Sequence, residues 1–129
     1  MANGDYLTPE ELRKYTKPIE DIKTEIDNFA KSQGLEAEYY SRGWPHFALT
    51  WKNNNDLDCL IQVFMNDDKE TYSLWLAASK DIARERFIKD IYLHNRLTPP
   101  FNIQSILTDL RTGLATCNSW KFEDLQLSR

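Results

Sequence analysis

The chain has 129 residues, with 16 Lys and Arg against 20 Asp and Glu, and a formal net charge of −4. That length fits one domain, 1–129, long enough to bury a core without disulfide or metal staples. The acidic excess excludes nucleic acid as the default partner, because phosphate binding needs clustered Lys and Arg, and apolar runs of a few residues exclude a spanning helix and so a membrane partner.

The opening MANGDYLTPEE has neither the basic start nor the apolar stretch of a secretory leader. Aromatic residues make up 12% of the chain, which favours burial over disorder. The two cysteines, Cys59 and Cys117, match no zinc spacing and read as small buried hydrophobes. A reducing compartment, the cytoplasm, is expected.

Thr8-Pro9-Glu10-Glu11 carries a capping box and a proline suited to the first helical position. Leu12, Tyr15, Ile19, Ile22, Ile26 and Phe29 then fall on one helix face. Pro18 should break or kink this helix. The expectation is a short first helix and a longer one over about 17–32, stopped by Gly34, or one kinked helix.

From residue 35 the period becomes two. Strands are expected over 35–42, 46–52, 57–65 and 71–78. They are joined by Gly43-Trp44-Pro45, Asn53–Asp56 and Asn66–Glu70. Four strands with short polar turns make an antiparallel meander.

Ala83, Phe87, Ile88, Ile91 and Tyr92 suggest a helix from about residue 80 to His94-Asn95-Arg96, halted by Thr98-Pro99-Pro100. Asn102 should cap a last helix striped by Ile103, Ile106, Leu107, Leu110, Leu114 and Cys117. Trp120, Phe122, Leu125 and Leu127 make the tail too apolar to hang free, so it should dock, as an edge strand. The fold class is α+β: an N-terminal helix kinked or broken at Pro18, a four-stranded antiparallel meander, and two C-terminal helices packed on the sheet.

Catalytic signatures are absent. No glycine loop cradles a phosphate, and no zincin, nucleophile-elbow or Walker pattern occurs. Asn54, Asp56 and Asp58 begin like a calcium loop, but Cys59 and Met65 stand where Gly and Glu are needed. His46 reads as a surface histidine and His94 as a helix C-terminal one. No metal, cofactor or catalytic residue is assigned, and an enzyme ranks last.

The second sheet face carries the strongest signal. With Phe47, Ile61, Leu74 and their alternates under the helices, the opposite side shows Tyr40, Ala48, Leu60, Phe64 and Trp75 among Thr50, Gln62 and Ser73. That is apolar for a solvated face. Either the tail or last helix covers it, or a partner does. The meander also brings the turn at Trp44 beside Asp67, Asp68 and Glu70. An exposed tryptophan next to acids suits a basic or aromatic partner.

The chain therefore reads as a non-catalytic protein-binding domain, like an immunity protein, inhibitor or chaperone. Its candidate contacts are Trp44, Phe64, Trp75, Asp67, Asp68 and Glu70, and its occupant is a protein partner or a second copy. The alternative is a small-molecule site between sheet and helices, using Tyr39, Trp51 and Tyr72. Residues 35–78 alone carry seven acidic and three basic groups, which equals the net charge of −4; the flanks cancel.

Overall fold

The computed structural model describes residues 7–128, apart from the side chain of Arg42. Thr8 starts helix α1 (Pro9–Glu20) as its motif requires: its hydroxyl accepts from Glu11 N at 3.1 Å, and Glu11 Oε1 accepts from Thr8 N at 3.0 Å. Pro18 lies inside α1 without ending it. A proline near the end of a helix forfeits one hydrogen bond, here to the carbonyl of Lys14. The break comes later, where Ile22 N bonds Ile19 O and tightens the last turn. Helix α2 (Lys23–Gln33) continues the same apolar stripe and stops at Gly34, whose φ of 70° closes the helix end.

Six strands follow in a meander: β1 (Glu36–Tyr39), β2 (His46–Lys52), β3 (Asp58–Met65), β4 (Tyr72–Ile82), β5 (Glu85–Leu97) and, after helix α3 (Ile103–Ser119), β6 (Gln126–Leu127). Their spatial order equals their chain order, and every pair is antiparallel. The expected four-stranded sheet with two C-terminal helices is thus corrected to six strands and one C-terminal helix. Residues 80–96 are not helical. They finish β4, turn at Ala83-Arg84 and form β5, so His94 lies in a strand rather than at a helix end.

The reason is an ambiguity of period. Phe87 and Ile91 share a face at a spacing of four in either structure. Phe87, Ile88, Ile91 and Tyr92 are β-branched or aromatic, and they suit a pleated surface. The free edge of β4 then decides, because its backbone groups need a partner. The tail docks as expected. Trp120 and Leu125 are buried, and β6 pairs with Phe87 and Ile88 as an edge strand.

Alternate residues of β2, β3 and β4 point to the helices. Phe47, Leu49, Ile61, Val63, Leu74 and Leu76 are fully buried there with Ile19, Ile26 and Leu110. At Gly113, α3 comes so close to the sheet that an added Cβ would lie 2.8 Å from Leu76 Cδ2 and 3.2 Å from Ile61 Cδ1. Cys59 and Cys117 meet across this interface as buried free thiols.

The loop before β3 is tied to the end of α3. Asn53 is buried; its Nδ2 donates to Cys117 O at 2.9 Å and Trp120 O at 3.1 Å, and its Oδ1 accepts from Asn55 N at 2.9 Å and Leu57 N at 3.0 Å. Replacing Asn53→Leu should cost about 3 kcal/mol, because buried donors and acceptors on both sides lose partners at once. Urea unfolding checks this.

The β4–β5 turn carries strain. Ala83 and Arg84 hold φ of 53° and 66°, where side chains meet the backbone. Two-residue hairpins of this kind favour Asn-Gly. The double substitution Ala83→Asn with Arg84→Gly should stabilise by about 1 kcal/mol and raise the melting temperature by about 4 °C. Calorimetry reads the shift.

Candidate functional site

All three helices lie on one side of the sheet, which the register makes explicit. Gly113 of α3 meets Leu76 and Ile61 on the same side on which α1 and α2 meet the core. The tail joins them: Trp120 sits under Lys89 Nζ at 5.5 Å and Phe122 packs edge-on to Phe87 at 5.0 Å. Lys89 and Phe87 pair with Ala78 and Lys80, which share the helix side with Leu76. Neither the tail nor α3 covers the opposite face, which the described residues leave open.

That face has relief. Ala48 at 6%, Ser73 at 3% and Ala77 at 5% exposure are buried although no layer lies over them. They are short side chains between large ones. Register places Leu60 beside Ala77, Gln62 beside Trp75, and Trp75 beside Tyr92. Trp75 is held by its Nε1, which donates to Asp90 Oδ2 at 2.9 Å. Phe64 stands edge-on to Tyr92 at 6.4 Å.

One hollow, about 660 Å3, is bounded by Thr50, Leu60, Trp75, Ala77 and Ile88, with Glu36 at the β1 rim and Arg86 at the β5 rim. A second, about 440 Å3, includes Phe64, Asp67, Asp68, Tyr92 and Arg96. A third, about 360 Å3, holds Ser41, Trp44, His46, Gln62 and Phe64. Phe64 walls both of the smaller ones.

The six candidate residues thus fare differently. Trp75 is half-buried in the middle of the open face, and Phe64 is half-buried toward the Trp44 end of that face, where it pairs with His46 and Ser73. Trp44 is half-buried at its end, with Nε1 donating to Met65 O at 2.8 Å, and it also packs on the core edge. Asp67 lines the second hollow. Asp68 does too, but its carboxylate accepts from Glu70 N, Thr71 N and Thr71 Oγ1 at 2.8–2.9 Å. Those bonds hold Asp68 below the usual carboxylate range and bind it to its own loop. Glu70 is exposed and lines none of these three hollows.

Two side chains leave their expected places. Tyr40 was expected on the open face. Its φ of 56° turns the chain, and its hydroxyl donates to Glu20 Oε2 at 2.6 Å on the helix side. His46 was expected at the surface and is buried. Its Nδ1 donates to Trp44 O at 2.8 Å, and Nε2 lies 3.1 Å from Ser41 Oγ, accepting there when the ring is neutral. The carbonyl stands where a catalytic triad places a carboxylate, so the pair clasps the turn. His94 Nε2 lies 3.1 Å from Asp109 Oδ2, joining β5 to α3. Among the described residues no three His, Cys, Asp or Glu gather as metal ligands.

Comparison with family models, curated proteins and solved structures finds no match. The site must be read from its own chemistry. Sequence reasoning missed Ile88, Asp90 and Tyr92, which β5 brings to the open face. The aromatic and β-branched run at 87–92 was the signal.

The aromatic residues assigned to an internal pocket act as ties. Tyr39 Oη donates to Asp27 Oδ1 at 2.5 Å, Tyr72 Oη to Tyr15 O at 2.6 Å, and Trp51 Nε1 to Asn118 Oδ1 at 2.8 Å. Burial pushes the Tyr72 phenol up to about 12, and burial with the neighbouring carboxylates raises Tyr39 and Tyr40 further. A phenol raised on folding stabilises below its unfolded value of about 10, and that stability fades above it. Ultraviolet titration should therefore show these three tyrosines ionising together with unfolding, above about pH 10.

Proposed function

We propose that this chain is a non-catalytic protein-binding domain that receives its partner on the open face of the sheet. What supports the reading is the one-sided helix layer: an apolar centre of Leu60, Phe64, Trp75, Ile88 and Tyr92 stays uncovered by the described residues. Contiguous apolar surface with a polar rim is the usual mark of an interaction site. A tryptophan fixed by a hydrogen bond suits such a site, since little side-chain entropy is lost on binding. The hollow by Ala77 has the volume of a small-ligand site, but such sites bury most of their ligand, and this one is open to one side. A projecting side chain of a protein fits it better.

Photo-crosslinking tests the proposal. A benzophenone amino acid at Gln62, beside Trp75, should give a discrete adduct in the native cell. The same group at Glu25, exposed on α2, should not. Trp75→Ala should remove the adduct and leave the far-ultraviolet circular dichroism unchanged. Equal labelling from both positions, or an adduct indifferent to Trp75, overturns the reading.

A further inference from the structure

The charges of the open face narrow the partner, and the inference rests on the reading just given. Register puts Glu36, Glu38, Asp58, Asp81 and Asp90 on this side, and Asp67 and Asp68 line its second hollow. Among the described side chains, Lys52, Arg86 and Arg96 oppose them. Among the described side chains this face thus carries seven acidic and three basic groups, an excess of four negative charges.

Two of these three cations already have polar partners. Lys52 Nζ lies 3.4 Å from Asp56 and 4.0 Å from Asp58. Arg86 Nη2 donates to Ser79 Oγ at 3.2 Å and stands opposite Asp81. Arg96 lines the second hollow together with Asp67 and Asp68. Glu36 and Glu38 sit two residues apart on the edge strand, both exposed, and Glu36 borders the hollow beneath Trp75.

We infer that the occupant is a cationic amphipathic segment of another protein, with an apolar side chain in the hollow between Trp75 and Ala77 and Lys or Arg against Glu36 and Glu38. The same charge disfavours the other occupants. A symmetric dimer through this face would set the acidic patch against itself. Anionic lipid surfaces and nucleic acid meet the same repulsion. The charge would also speed encounter with a basic partner, an effect that salt screens.

A display library tests this. Six strands at about 4.8 Å span about 24 Å, which a helix of about 16 residues covers, so random peptides of that length are suitable. Winners are selected on the whole protein and counter-selected on Trp75→Ala and, independently, on Ala77→Leu, which fills the hollow. Winners that need both the tryptophan and the hollow should be rich in Lys and Arg and carry apolar residues at helical spacing. Their affinity should fall about tenfold in the Glu36→Gln/Glu38→Gln double variant, and again between about 0.05 M and about 0.5 M salt. Winners that depend on Trp75 and Ala77 but are acidic or uncharged overturn the cationic partner and leave the binding face standing. Winners that depend on neither overturn both.

Discussion

The placement of α3 governs the rest of this molecule. A helix returning from the far edge of a meander can pack on either side of the sheet. Two features hold this one beside α1 and α2. Gly113 lets its backbone approach Leu76 and Ile61 more closely than a side chain would allow. Asn53 then closes its end, satisfying the carbonyls of Cys117 and Trp120 from a buried position. An unpaired buried carbonyl costs enough to select against alternative docking. With α3 seated there, the tail follows onto the same side and, among the described residues, the other face is left without a lid.

Much of this was legible where local chemistry and period agree. The capping box at Thr8, the stop at Gly34, the alternation from His46 to Ala78 and the cap at Asn102 each specify one outcome. Legibility ended where two periods fit the same residues. Phe87 and Ile91 satisfy both a helix and a strand, and only the unpaired edge of β4 separates them. Turn conformation was the other gap. A positive φ at Tyr40 is not written in its side chain, yet it moves a phenol from the open face to Glu20. His46 shows the reverse: an outward position by register can still be buried when a turn folds across it.

Acidity in this chain is likewise a property of placement. In the linear sequence the excess falls on residues 35–78, but Asp81 and Asp90, from outside that segment, join the face, while Asp56 is taken up by Lys80 and Lys52. The strands gather acids from several turns of chain onto one face. Surface charge of this kind contributes little to stability, since exposed ion pairs are worth less than about 1 kcal/mol. Its reach lies in encounter and selectivity.

The short residues on the open face argue in the same direction from a different cost. Alanine is poorly suited to strands, and a solvated sheet face is better served by threonine or by long polar side chains. Ser73 and Ser79 are held by polar partners, Asn66 Oδ1 and Arg86 Nη2, but Ala48 and Ala77 accept that disadvantage with no described helix over them. On the helix side, by contrast, Gly113 has a visible reason, the closeness of α3. A row of small side chains beside a tethered tryptophan makes a recess that a flatter, more stable face would lack. Under the proposed reading that recess receives a partner's side chain, and the acidic rim selects for a cationic one.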